Sequence, residues 1–245
     1  MNFANNGSMI CIVLHGEAAS AFSEGFADLL NDKAEITVLP DSLLDEADKQ
    51  TYAAADVIVG VKFNTTLPRP EMLKLLHMPG AGFEGVDFRA LPASAVVCNC
   101  FGHEQAIAEY AMMALLMRQV PILDADRLLR KGEWAYRSGP AQTVHAEVAG
   151  KTIGLLGFGH IGKAIAVRAK AFEMKVHVAN RSPVPTSSLV DRAFLLNELP
   201  GFWASADFFV VSLPLIAETT ASWVPKLLRP CGPRLSSSTL AGARR

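Results

Sequence analysis

Between Lys151 and Lys163 the chain reads KTIGLLGFGHIGK, and this stretch limits the possible fold more than any other. The apolar run at 152–156 predicts a buried strand, the glycines Gly157, Gly159 and Gly162 follow in the spacing G-x-G-x-x-G, and 163–172 (KAIAVRAKAF) predicts a helix. Strand, glycine turn and helix in that order suit a dinucleotide. Gly157 permits the tight turn, Gly159 lets the backbone approach a pyrophosphate, and Gly162 lets the helix lie close to the strand. The phosphates then rest on helix N–H groups that lack intrahelical partners. The candidate cofactor loop is Gly157, Phe158, Gly159, His160, Ile161 and Gly162.

Beyond that helix, 175–179 (KVHVA) predicts a second strand ending at Asn180, Arg181 and Ser182. An acid about 20 residues past the first glycine binds the ribose 2′-OH of NAD, whereas an arginine there accommodates the 2′-phosphate of NADP. No acid stands here, so these three residues favour NADP or a relaxed preference; Arg181 as an ordinary solvated loop residue is the alternative. A short connection at 195–200, a third strand at 206–213 (ADFFVVSL) and a terminal loop at 214–219 complete a β-α-β-(α)-β unit. With strand, helix and second strand all at the right spacing, the glycine motif is a specific signal.

The first hundred residues repeat strand and helix signals. Strands are predicted at 9–14 (MICIVL), 34–39 (AEITVL), 55–61 (ADVIVGV), 75–78 and 95–98, with helices at 18–31, 41–52 and 69–75. Such alternation predicts a parallel sheet covered by helices. Two loops after strand ends, 60–63 and the glycine-rich 79–87 (PGAGFEGVD), are either plain turns or ligand loops, since ligands in open α/β sheets bind at the carboxyl ends of strands. A helix at 104–119 (EQAIAEYAMMALLMRQ) is apolar nearly all round and predicts burial, with its methionines as core. Helical pattern continues through 121–131, and 132–148 reads as an irregular connection.

Composition excludes other classes. Half of the 245 residues are apolar, 19% are charged and the net charge is −1, which argues against disorder and against a basic face for nucleic acid. No window reaches the roughly 20 apolar residues of a membrane helix, and residues 1–8 lack the pattern of a secretory signal, so a cytoplasmic location is expected. Cys98 and Cys100, two apart, are expected to pack on one face of a strand, and no second pair completes a zinc site. Asp124 and Asp126 cannot face each other on a helix and read as a solvated face, while Glu104 and Glu109 lie near a helix start, where acids suit the dipole.

Taken together, HMPGAGFEGVD (77–87), VVCNCFGHEQAIAEYAMMALL (96–116), VAGKTIGLLGFGHIGKAIA (148–166) and VVSLPLIAETT (210–220) resemble the D-isomer-specific 2-hydroxyacid dehydrogenases. The resemblance implies an α/β architecture, with a flavodoxin-like substrate domain at 9–100, a Rossmann doubly wound parallel sheet binding NAD or NADP at 101–220, incomplete in this chain, and a tail at 221–245 outside the family pattern. It further implies that backbone groups of Val61, Lys62, Gly80, Ala81 and Gly82 lie near the substrate, a small 2-hydroxy or 2-keto acid. Ile107 would lie near the nicotinamide, and Leu213, Pro214 and Thr219 would line the cofactor with Asn180 to Ser182. A homodimer is a further implication of the family, and neither nucleic acid nor membrane is an expected partner.

In that family an arginine holds the substrate and a histidine paired with a glutamate handles the proton, all beyond the point matching residue 220. None of this set is recognisable in 221–245, and no catalytic residue is assigned. Read one frame over, with the third base of each codon joined to the next two, 229–244 can encode A-M-R-P-x-A-[VL]-V-V-N-[VA]-[GS]-R-G-[AP], the family's arginine motif. A frameshift after about residue 220 is therefore expected, and the genomic sequence decides it. His77, His103, His145, His160 and His177 are weak substitutes as acid or base. Three outcomes follow for the polypeptide: an oxidoreductase of impaired activity, a dinucleotide-binding module without chemistry, or an incompletely folded product.

Overall fold

In the computed structural model, which describes residues 9–137, 139 and 144–213, the apolar runs of the first hundred residues become one parallel sheet. Strands β1 (Ile10–His15), β2 (Ala34–Leu39), β3 (Val57–Gly60), β4 (Leu75–His77) and β5 (Val96–Cys98) lie in the order β2-β1-β3-β4-β5. This is the flavodoxin-like order, in keeping with the domain that the family resemblance implies. Strand β1 lies inside the sheet and is covered on both faces, which is why its sequence, CIVL, shows no polar alternation. Val13, Ile58 and Leu76 pack with Tyr52 of helix α2 (Glu46–Ala53) on one face. Ile12, Leu14 and Val59 pack with Ala19 of the short helix α1 (Glu17–Ser20) on the other.

Four expectations in this unit fail locally. The helix predicted at 18–31 is only α1 and a single 3-10 turn at Ala27–Leu29, because turns at 21–26 pass through Gly25 at φ 71° and break the helical run. The helix predicted at 69–75 is a turn closed by the Leu73 N–H on the Pro70 carbonyl (3.1 Å); Pro68 and Pro70 supply no N–H donors to a helix. Helix α2 starts later than predicted, at Glu46, behind Asp45, whose carboxylate accepts the Ala47 N–H (3.0 Å) and caps it. Cys98 is exposed and Cys100 half-buried, against the expected packing: β5 is the edge strand, and the intervening Val97 is the residue that turns to the core.

At the end of β1 a buried polar pair stands under the sheet's carboxyl edge. The rings of His15 and Tyr52 meet edge-on with centroids 5.0 Å apart, and among the described residues neither His15 Nε2 nor Tyr52 OH has a partner. A buried hydroxyl without a partner costs desolvation and returns nothing. Tyr52→Phe is therefore expected to stabilise the protein by about 1 kcal/mol, read as a higher urea midpoint; a lower midpoint would show that the hydroxyl is bonded. Burial holds the His15 imidazole below its usual pKa, against the opposing pull of Asp41. The unfolded chain then binds the proton more readily than the folded one. This contribution is complete above about pH 6.5 and is lost as pH falls towards the depressed folded-state value. Urea midpoints should fall between pH 7.5 and 5.5, and His15→Asn should flatten that slope.

From Gly102 onward the chain forms a second unit. Strands β6 (Thr152–Leu156), β7 (Lys175–Asn180), β8 (Arg192–Leu195) and β9 (Phe208–Val211) lie parallel in the order β8-β7-β6-β9. That is the Rossmann order with its reversal at β6, so a crevice opens at the carboxyl end of β6, where the glycines stand. Ile153 and Leu155 face helices α3 (Glu104–Gln119) and α5 (His160–Ala171), while Leu156, Ala179 and Phe194 face Phe202 and Trp203 of helix α6 (Leu199–Trp203). Strand β8 is a departure from prediction. Its four residues bury only Phe194, too few to show a period, and pairing with β7 decides it.

Helix α3 spans the predicted residues but is not buried all round. Ala108, Ala111, Met112 and Leu115 form its inner stripe, and Tyr110 and Met113 stand about half exposed at 51% and 48%. Helix α4 (Ile122–Leu129) follows at a 64° bend. Asp124 and Asp126 pair with Arg127 (2.5 Å) and Arg130 (2.9 Å) on its solvated side, as expected for surface acids. Among the described residues no single helix is long and apolar enough to cross a membrane; α3 and α4 reach that length and composition only as a bent pair.

Candidate functional site

The glycine loop is built by the end of β6 and the start of α5. Gly157 adopts φ 98°, which L side chains rarely tolerate, and a Cβ there would lie 2.9 Å from the Ser212 carbonyl oxygen. Its N–H donates to the Ala179 carbonyl (2.8 Å), continuing the β6–β7 ladder into the turn. On the other side the Ser212 N–H donates to Leu156 (2.9 Å) and its hydroxyl to the Gly157 carbonyl (3.2 Å). At Gly162, inside α5, a Cβ would overlap the Gly157 carbonyl oxygen, so helix and turn are in contact through a missing side chain. Gly159 is different: a Cβ there meets nothing within 4 Å, and no side chain caps the helix that it begins. The result is open space in front of the α5 first-turn amides, where an anion gains from both hydrogen bonds and the helix dipole.

Asn180 closes the adjacent side. Its Oδ1 accepts a long hydrogen bond from the Phe158 N–H (3.5 Å) and its Nδ2 donates to the Ser182 carbonyl (3.1 Å). The structure thus brings Asn180 and Ser182 to the loop, with Arg181 and Ser182 exposed beside it. Ile107 lies half-buried on the first turns of α3, and Leu213 is half-buried against the aromatic face. Pro214 and Thr219 lie outside the described residues, as does the 221–245 tail.

In the first unit the loops at Val61–Lys62 and Gly80–Gly82 are tied together. Phe63 donates to Gly85 (2.9 Å) and Asp87 to Phe63 (2.7 Å), and a Cβ on Gly85 would overlap the Val61 carbonyl oxygen. The Asn99 side chain holds the Ala81 carbonyl (2.9 Å), and the Cys100 N–H donates to Gly80 (3.2 Å). Val61 is half-buried, Lys62 exposed, and Gly80, Ala81 and Gly82 half-buried. Both loops stand at carboxyl ends of strands, β3 and β4.

Two residues around these loops lie within the family-like stretches but were given no site role by the sequence. Ser212 braces Gly157, and only its place at the end of an apolar strand next to β6 could have pointed to it. Glu104 is 8% exposed, with its carboxylate on the Gly102 N–H (2.8 Å) and 4.0 Å from His160 Nδ1. Hydrogen bonds from its own N–H and from Gly102, with His103 and His160 nearby, hold its carboxyl below the usual range despite burial. His177 is held low by burial and Arg192, and its Nδ1 lies 2.9 Å from the Ser205 hydroxyl, which itself donates to Phe202. That pair is structural. Among the described residues no group of three His, Cys, Asp or Glu side chains could hold a metal ion.

Residues 110–232 match the family model described as D-isomer specific 2-hydroxyacid dehydrogenase, NAD binding domain, a match that continues past residue 220. A glyoxylate reductase of Thermococcus gammatolerans is 29% identical over 215 residues, 81% of this chain and 63% of that protein. One of Pyrococcus horikoshii is 35% identical over 198 residues, 78% of this chain and 54% of that one. A D-3-phosphoglycerate dehydrogenase of Rattus norvegicus is 33% identical over 156 residues, 61% and 28% of the two chains. The chain thus spans less than two thirds of these relatives' length. In fold it is similar to the NADPH-dependent glyoxylate/hydroxypyruvate reductase of Sinorhizobium meliloti, solved with NADP and sulfate (TM-score 0.67, 24% identity, covering 91% of this chain and 68% of that one). With half the sequence matched by the family model, and with the parallel sheets and glycine turn in place, this chain belongs to the D-isomer specific 2-hydroxyacid dehydrogenase family.

Proposed function

We propose that the chain binds NAD or NADP on the 157–162 loop and takes part in hydride transfer between that cofactor and a small 2-hydroxy or 2-keto acid, glyoxylate being the substrate class that the reductase relatives suggest. The observation that carries the proposal is the space in front of α5: glycine is required at 157 and 162 by contact, whereas at 159 it leaves room. Those residues fit a pyrophosphate. When bound, the nicotinamide supplies or accepts the hydride. The chain's own part is to hold the phosphates on the amides of 160–162, the ribose end beside Asn180 to Ser182, and the substrate carboxylate on backbone N–H groups of 61–62 and 80–82. The division into a substrate domain at 9–100 and a cofactor domain from 101 belongs to the same proposal.

Proton transfer is proposed to need the arginine and the Glu–His pair that family resemblance places beyond residue 220. The 245-residue chain should therefore be stabilised against heat by NADH or NADPH, because a ligand that binds only the folded state raises its stability. Turnover of glyoxylate or hydroxypyruvate should stay near background. Absence of any thermal shift would refute the binding assignment, and rapid turnover would refute the need for groups placed beyond residue 220. Arg181→Ala is expected to weaken NADPH by roughly tenfold and NADH little, since the charge-assisted bond is made only to the 2′-phosphate. Equal loss for both cofactors would make Arg181 an ordinary loop residue.

A further inference from the structure

His15 is one of two buried polar or charged residues among those described, the other being Glu104. It ends β1 at the carboxyl edge of the first sheet, paired with Leu39 of β2 on one side and with Gly60 of β3 on the other. The imidazole fills the space beside the bare Cα of Gly60, where a Cβ would stand 3.7 Å from Nδ1 and 3.2 Å from the His15 carbonyl oxygen. Tyr52 of α2 meets the ring edge-on at 5.0 Å, and Nε2 has no partner among the described residues. A second proton on this ring would be a buried charge whose donor has no acceptor, which is why burial holds the imidazole below its usual pKa. Of the charged groups around it, Asp41 after β2 favours the added proton and Lys62 after β3 opposes it. From α2 the facing group is the Tyr52 hydroxyl, which burial keeps protonated, and from α1 the Glu17 N–H donates to the Asp41 carboxylate (3.1 Å).

The strand end that the ring touches is tied onward. Gly60 leads through Val61 and Lys62 to Phe63, whose N–H donates to Gly85 (2.9 Å) and whose carbonyl accepts the Asp87 N–H (2.7 Å). A Cβ on Gly85 would overlap the Val61 carbonyl oxygen, so the two loops touch backbone to backbone. We propose that His15 is a pH-sensitive latch: as a neutral imidazole it packs against the exit of β3, and acid releases it, opening the 60–63 loop and with it the 83–87 turn while the rest of the unit stays folded. Release places the ring in water, where it takes up a proton at its ordinary pKa, so the open form binds more protons than the closed one. Opening therefore increases as pH falls through about 6.5, by up to roughly tenfold between pH 7.5 and 5.5. Neither cofactor nor substrate enters this equilibrium.

The test is amide hydrogen exchange followed by NMR on the whole chain between pH 7.5 and 5.5, each rate being divided by that of an unprotected amide at the same pH, since local openings are read in this way. Protection at the Phe63 and Asp87 amides should fall by up to about tenfold over that range. The Asp56 amide, which donates to the Cys11 carbonyl (2.9 Å) at the other end of β3, should keep its protection. H15N, uncharged at every pH, should lose the pH dependence at Phe63 and Asp87. Should H15N fail to fold, the wild-type ring decides: the fall in protection must begin near pH 6.5 and level off at the midpoint of the His15 titration, read from its Cε1–H resonance. Protection at Phe63 and Asp87 that stays constant with pH, or that falls equally in H15N, overturns the latch. Equal loss at Asp56 overturns it as well, because acid would then be unfolding the whole unit rather than opening one edge.

Discussion

Gly162→Val is expected to raise the dissociation constant for NADH or NADPH at least about 100-fold, close to 2.7 kcal/mol. The new Cβ would lie 2.4 Å from the Gly157 carbonyl oxygen, and that oxygen cannot withdraw easily. It belongs to a turn at φ 98° that already accepts the Ser212 hydroxyl and whose N–H is fixed to Ala179 at 2.8 Å. Helix α5 would have to move off the sheet, carrying its first-turn amides with it and opening the packing of Ile165 and Ala169, both fully buried. Overpacking of this kind typically costs a further 1–3 kcal/mol or so in stability. Gly159→Ala is the control. Its Cβ meets no protein atom within 4 Å, so thermal stability should hold while binding falls, because the side chain stands where the pyrophosphate would approach. Calorimetric titration with parallel melts separates the two, and wild-type affinity in Gly162→Val would show that the phosphates bind elsewhere.

Phe202→Ala is expected to destabilise the second unit by about 3–5 kcal/mol, the range for deleting a buried aromatic ring. The ring is fully buried, with centroids 5.8 Å from Phe194, 5.0 Å from Trp203 and 5.4 Å from Phe209, in edge-on arrangements that add to simple burial. It also fills the space left by Gly154 on β6, where a Cβ would lie 3.0 Å from its Cζ. Removing it opens a cavity between α6 and three strands that the backbone cannot close. Because a domain's whole stability is of order 5–15 kcal/mol, the loss is a large fraction of it. Urea unfolding followed by tryptophan fluorescence reads it, Trp203 being the tryptophan in contact with this ring. Phe202→Leu, which keeps much of the volume, should lose less; a loss under about 1 kcal/mol for the alanine variant would show that this face contributes little to folding.

The strands β2 and β6 were legible to the residue, as was the span of α3, because each is a continuous apolar or helical run whose character does not depend on its neighbours. Elements decided by partners were not. Strand β8 exists through its ladder with β7, and the 18–31 segment loses its helix to turns although its apolar spacing suits one. The face of α3 could not be read because most of its residues are apolar, so only contact with α5 distinguishes Ala108 and Met112 from Tyr110 and Met113. In the same way Cys98 and Cys100 share a side in a strand pattern, but which side meets the core depends on Val97 and on the edge position of β5.

The glycine spacing by itself determined that a strand, a turn and a helix follow one another, and with the four quoted motifs it determined the family. A backbone that must bend sharply and approach a helix closely leaves its mark in residue type, because only glycine avoids the clash. What only the tertiary structure decided is what surrounds that turn. Ser212 braces Gly157 from a strand 55 residues away, and Glu104 meets His160 because α3 lies along α5. Neither contact has a local signature: a serine ending a strand and a glutamate starting a helix are common, and chain topology alone sets them beside the loop.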